Sequence, residues 1–166
     1  GSMICVVSWN KIYKKSVFKN LRFAEGKLAE DELIIHHIAD ACSRISIISG
    51  QYYFYRIRKG SITNTEHLLK RLDNTNALLD RLNFIKERNY ESTFILGLEK
   101  EIINDFIRSI RMLDRNNKEH RAEVKRFSKT LKTTVRHLLA NGNLTKSEKT
   151  IFRIFRINPL IFSYWK

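Results

Sequence analysis

The sequence predicts an α+β fold that is predominantly α: a small unit of two or three strands and two helices, followed by a helical bundle. Three observations support this. A single proline and six glycines in 166 residues leave room for long helices. Before Glu66 short apolar runs rich in β-branched and aromatic residues alternate with helical stretches, a mixed pattern. Beyond that point apolar residues recur every three or four positions, which is the helical period.

In order along the chain, Met3 to Trp9 (MICVVSW) reads as a short buried strand. The next stretch, Asn10 to Phe23, reads as a short helix with Ile12, Tyr13, Val17 and Phe18 inward. A loop through Gly26 leads to a helix from Glu30 to about Cys42. Its first turn carries Glu30, Asp31 and Glu32, where acids interact favourably with the macrodipole by about 0.3 to 1 kcal/mol each. RISII and YYFYRIR then read as two strands joined by a turn at Ser49-Gly50-Gln51, and the second ends at Lys59-Gly60-Ser61. Helices are expected over residues 67–87, 92–113 and 118–139. A shorter one over 145–157 opens on a Thr145 to Glu148 capping box and stops at Asn158-Pro159. The sequence therefore divides into residues 4–66 and 67–166.

With 43% hydrophobic residues the chain can bury a core, and its net charge of +14 directs attention to anionic partners. The charge is divided unequally, +4 over residues 1–66 and +10 over residues 67–166. Cys5 and Cys42 stand alone, without zinc-ligand spacing, as expected of thiols in a reducing compartment. His36 and His37 are adjacent on a helix and not placed to share a metal, so no metal site is expected. Gly1-Ser2 before Met3 looks like a cloning remnant, and no signal peptide or membrane span is expected after it.

The ordered set WNKIYKKSVFKNLRFAEGKLAEDE, Trp9 to Glu32, followed by YYFYRIRKGSITN, Tyr52 to Asn64, resembles the C-terminal half of the catalytic domain of bacterial family 2 glycosyltransferases. These are inverting enzymes of GT-A fold, and the helices after residue 66 resemble the variable C-terminal extension of such enzymes. The resemblance implies transfer of a sugar from a nucleotide-sugar donor to a saccharide or lipid-linked acceptor, in cell-surface polysaccharide or glycan assembly. Asp31 matches the base that takes the proton of the acceptor hydroxyl, a role worth about 10² to 10⁴ in rate, and Glu30 would assist it. Arg56, Arg58 and Ser61 would hold the donor diphosphate, and Trp9 and Asn10 would line the acceptor side. For Trp9 a plain core role is an equal expectation, and alternation makes Tyr52 to Tyr55 packing residues.

The resemblance also implies what is absent. No Asp-x-Asp pair follows an apolar strand and no glycine-rich phosphate loop occurs, so the nucleotide-binding half is missing. No cofactor is expected in this chain, and Mg or Mn is expected only with that half. The chain is read as truncated and inactive alone.

A second reading makes the helical region a membrane-surface or protein-interaction module. Lys118, Lys125, Lys129, Lys132 and Arg136 share one helical sector, opposite a stripe of Val124, Phe127, Leu131, Val135 and Leu138. The tail interleaves Arg153 and Arg156 with Phe155, Phe162 and Trp165, as interfacial segments do. A solvated face is the plain alternative. Nucleic-acid binding is the weakest expectation, because no recognised signature occurs. The expected location is cytoplasmic, peripheral at the inner face of the cell membrane where the tail binds. Self-association through exposed sheet edges near Val6 and Ile47 is also expected.

Overall fold

In the computed structural model, which describes residues 3–56 and 68–164, the chain separates into two compact units, Gly1–Glu66 and His67–Lys166. All regular elements among the described residues are helical. The expected strands are absent there, and this corrects the α+β reading and its partial GT-A unit.

In the first unit the short helix α1 (Met3–Val6) replaces the strand expected at the start. The helix expected over Asn10 to Phe23 shrinks to a 3-10 turn at Lys15–Lys19, kinked at Phe18, and Ile12 points into solvent instead of inward. Tyr13 and Phe18 meet edge to face at 5.4 Å, and Phe18 stacks on Phe23 at 5.8 Å, so local ring contacts hold this stretch. Gly26 turns the chain in the left-handed region at φ +73. Helix α2 (Glu30–Asp40) follows, with Ile34 and Ile38 buried. Its three acids occupy the first turn, where the Asp31 carboxylate accepts the Glu32 backbone N–H at 2.8 Å.

After α2 the two expected strands are chain without a ladder. Ile45, Ile47, Ile48, Tyr52 and Phe54 are all exposed. The physical reason is that alternation specifies a strand only where a neighbouring strand supplies hydrogen-bond partners. The expected turn is there, with Gly50 at φ +148 and a position where a Cβ would lie 2.5 Å from the Tyr52 ring. Without a sheet among the described residues there are no sheet edges to pair, and Val6 lies in a helix. The self-association inferred from those edges loses its basis.

In the second unit a 3-10 turn at Leu68–Arg71 enters α3 (Leu72–Glu87), followed by α4 (Ser92–Met112), α5 (Lys118–Asn141) and α6 (Lys146–Ile157). A final 3-10 segment, Pro159–Tyr164, closes the described chain. Helix α4 is central and packs against α3, α5 and the closing segment. Its inward stripe includes Ile102, Ile103, Phe106 and Ile110, and it meets Val124, Phe127, Leu131, Val135 and Leu138 of α5 in one core. Phe106 sits 5.4 Å from Phe127 and 5.9 Å from Phe155, which in turn lies 6.3 Å from Phe162. A buried polar clamp joins α3 to α4, with Asn74 Nδ2 and Thr75 Oγ1 donating to Asp105 at 2.9 and 2.7 Å.

The ends of these helices follow their capping residues. Asn117 accepts the backbone N–H groups of Glu119 and His120 to start α5. Thr145 and Glu148 form the reciprocal capping box expected of α6. Lys100 also bonds the Glu148 carboxylate, and together with the Thr145 backbone N–H it holds that carboxyl below its usual range. Among the described residues no helix is long and apolar enough to cross a membrane.

The tail corrects a further expectation. Phe155 and Phe162 are buried in the core, while Arg153 and Arg156 are exposed. At 100° per residue the interleaving of arginine and phenylalanine separates into two faces of α6, a wet one and a packed one. The phenylalanines are not available to insert into a lipid interface. Trp165 lies outside the described residues, as do Arg58 and Ser61.

Candidate functional site

The sequence-derived site residues that the structure describes belong mostly to the first unit. Trp9 follows the short α1, and its indole, 38% exposed, stacks with Tyr53 at a centroid distance of 4.5 Å and with Tyr55 at 5.0 Å. The period-2 alternation of an extended chain puts Tyr53 and Tyr55 on the Trp9 side and leaves Tyr52 and Phe54 to solvent. The result is a half-exposed aromatic platform, neither a buried core nor a lone ring. An apolar ring face of this kind suits the C–H face of a sugar ring.

Next to the platform, Asn10 Oδ1 accepts from Lys11 Nζ at 2.7 Å, and the same ammonium donates to the Val7 carbonyl at 2.6 Å. Tyr13 Oη donates to the Ser8 carbonyl at 3.5 Å. Asp31 reaches this group through its charge. Burial pushes the Tyr13 phenol up, and the Asp31 carboxylate adds to that shift. Burial lowers the Lys11 ammonium, with the charges of Cys5 and Asp31 opposing the fall. The first unit thus places Asn10, Lys11 and Tyr13 beside the Trp9 platform, and the Asp31 carboxylate acts on Lys11 and Tyr13 through its charge.

Glu30 and Asp31 are both half-buried at the helix start, whereas Glu32 is buried on the inner side of α2. Exposure therefore separates the three acids, which sequence alone did not. Arg56 is exposed at the end of the described segment. Lys11 carries no signal in a basic chain, and Tyr13 reads from the sequence only as an inward packing ring. The Tyr53 and Tyr55 spacing was visible but read as packing.

No protein-family model matches the chain, and no solved structure matches it. Two curated proteins of Streptococcus pneumoniae serotype 4 (strain ATCC BAA-334 / TIGR4) do. The glycosyltransferase GlyA is 31% identical over 104 residues, which is 61% of this chain and 15% of GlyA. The glycosyltransferase GlyG is 38% identical over 56 residues, 34% of this chain and 19% of GlyG. The chain is related to glycosyltransferases. It spans less than a fifth of the length of either relative.

Proposed function

We propose that the chain is part of an inverting glycosyltransferase of family 2 type and that the Gly1–Glu66 unit forms the acceptor side of its site. The observation that carries the transferase reading is the partial identity to GlyA and GlyG. The hydrogen-bonded Asn10 and Lys11 beside the Trp9 platform, with the Asp31 charge acting on Lys11 and Tyr13, support the division of roles within it.

In this reading a sugar acceptor lies against the rings of Trp9, Tyr53 and Tyr55. The Asp31 carboxylate takes the proton of the acceptor hydroxyl as its oxygen attacks the anomeric carbon, and the nucleoside diphosphate of the donor departs. Glu30 orients the acceptor. Arg56, with Arg58 and Ser61, offsets charge on the leaving diphosphate. The nucleotide-binding half, and the Mg or Mn it would hold, belong to other parts of a longer protein, so this chain alone does not transfer sugar. The product belongs to cell-surface glycan assembly, at the inner face of the membrane.

Titrating the 166-residue chain with mono- and disaccharides tests the acceptor side. Chemical-shift changes in the Trp9 indole N–H and the Tyr53 and Tyr55 rings are expected, saturating at a Kd on the order of 1 mM and lost in Trp9→Ala. Saccharide binding that persists in Trp9→Ala, or shifts confined to the second unit, would remove this assignment.

A second reading rests on α5. Lys118, Lys125, Lys129, Lys132 and Arg136 are all exposed on one face, opposite the buried stripe, and form a surface for anionic lipid headgroups. With Phe155 and Phe162 in the core, such binding is electrostatic and is abolished by salt.

A further inference from the structure

Between α3, α4 and α5 lies a half-open cleft of about 410 Å³ lined by Lys86, Ser92, Ile95, Glu99, Thr133, Thr134 and His137. Its floor is a carboxylate. Glu99 is 1% exposed, and its two oxygens are taken by two different side chains, a lysine and a histidine. Lys86 Nζ donates to Oε1 at 2.9 Å, and His137 Nδ1 approaches Oε2 at 2.6 Å. Lys86 and His137 are themselves 45% exposed, so both extend from the buried acid into the cleft.

Stability does not explain this arrangement. Position 99 lies within the inward stripe of α4, between Leu98 and Ile102, where an apolar residue would pack without desolvating a charge. Replacing a buried ion pair with apolar side chains is often neutral or stabilising. What Glu99 accomplishes is orientation. It fixes one end of the lysine ammonium and one edge of the imidazole, and so sets where the remaining groups point.

The chief remaining donor is the lysine. A lysine ammonium has three protons and Glu99 uses one of them. A carboxylate only accepts, so Nδ1 carries the hydrogen of the His137 contact, and Nε2 faces a ligand either accepting from a protonated phosphate oxygen or, in the imidazolium, donating to an ionised one. Ser92 adds a hydroxyl, while the Thr133 hydroxyl donates to the Thr130 carbonyl at 3.2 Å and offers its oxygen only as an acceptor. Ser92 is also the first residue of the 21-residue α4, so the positive end of that helix lies at the cleft lining. The carboxylate of the cleft is buried and already paired, and the half-exposed Lys86 ammonium is the cation of its rim. Ile95 supplies an apolar wall beside it.

We propose that this cleft binds a small phosphate monoester. Its phosphate oxygens would lie between Lys86 Nζ, His137 Nε2 and the start of α4, and its organic part against Ile95. The volume exceeds what a lone phosphate ion fills and falls within the range of small-molecule pockets. The site lies wholly in the His67–Lys166 unit and stands independently of the acceptor reading for the first unit.

The test is an amide and imidazole chemical-shift titration of the full chain with inorganic phosphate, phenyl phosphate and acetate in parallel. Saturable shifts confined to Ser92, Ile95, Thr133 and His137 are expected. Phenyl phosphate should bind more tightly than inorganic phosphate, with a Kd on the order of 1 mM or below, and acetate more weakly than either. Lys86→Met and His137→Gln should each weaken phenyl phosphate by about tenfold, Lys86→Arg should recover part of the loss, and Lys149→Met, at an exposed position of α6, should change nothing. Should removing a partner of the buried Glu99 unfold the unit, Ser92→Ala and Thr133→Val, both at exposed positions, carry the comparison with a smaller loss. Absence of saturable shifts, equal binding of acetate, or shifts that spread to α6 and vanish in Lys149→Met would overturn the proposal.

Discussion

Replacing Asp31 with asparagine in a full-length protein that contains this segment is expected to lower sugar transfer by about 10² or more with the fold intact. Asparagine keeps the shape of the side chain and can still accept the Glu32 backbone N–H that Asp31 accepts at 2.8 Å. The dipole contribution lost with the charge is below about 1 kcal/mol, too small to unfold the unit. What disappears is the proton acceptor. Transfer should therefore fall while donor binding stays near its original level, a pattern read from kcat and the donor KM measured separately. Glu32 is a poor control for this experiment, because it is buried on the inner side of α2. Glu25, exposed on the preceding loop, serves better, and Glu25→Gln should leave transfer unchanged. Equal losses from both changes would return Asp31 to the role of a helix start.

Phe155→Ala is expected to destabilise the second unit by about 3 to 5 kcal/mol, measured as a lowered urea midpoint. Phe155 is 1% exposed and touches both Phe106 and Phe162, so truncation opens a cavity where α4, α6 and the closing segment meet. Its neighbours supply the contrast. Arg153→Ala and Arg156→Ala, on the exposed face of the same helix, should shift the midpoint by less than about 0.5 kcal/mol. If Phe155→Ala were as mild as the arginine changes, the ring would be at the surface and the interfacial reading of the tail would return.

The two units differ in how far their structure can be read from sequence. Helices α3 to α6 were legible because an amphipathic helix closes its own hydrogen bonds, so its signal is local: apolar spacing, Asn117 as a cap, Thr145 with Glu148 as a capping box. The stripe from Val124 to Leu138 is buried as its period requires. Extended segments carry no such guarantee. RISII and the Tyr52 to Tyr55 run have strand composition and strand alternation, but a ladder also needs a second strand in register, and none adjoins them among the described residues. Their rings find another use, Tyr53 and Tyr55 stacking on Trp9.

The candidate sites were legible to different degrees for a related reason. Trp9, Asn10 and Asp31 stood out through an ordered motif. Lys11 and Tyr13 joined them only once the fold of the first unit was known, because a lysine is not distinctive among 31 basic residues and Tyr13 reads as an inward ring of a short helix. The Lys86, Glu99 and His137 cluster comes from three helices, and the contacts link positions 13 and 38 residues apart. One trace of it was present in the sequence, a glutamate at an inward position of the α4 stripe.

The account rests on the first unit being the acceptor side of a sugar transferase. The most direct measurement is release of nucleoside diphosphate from nucleotide-sugar donors by the full-length protein, with and without saccharide acceptors, compared with the same protein carrying Trp9→Ala. Acceptor-dependent release is predicted, with Trp9→Ala raising the acceptor KM by about tenfold and leaving the donor KM unchanged. Release that ignores the acceptor, or a Trp9→Ala protein with an altered donor KM and an unaltered acceptor KM, would contradict the account.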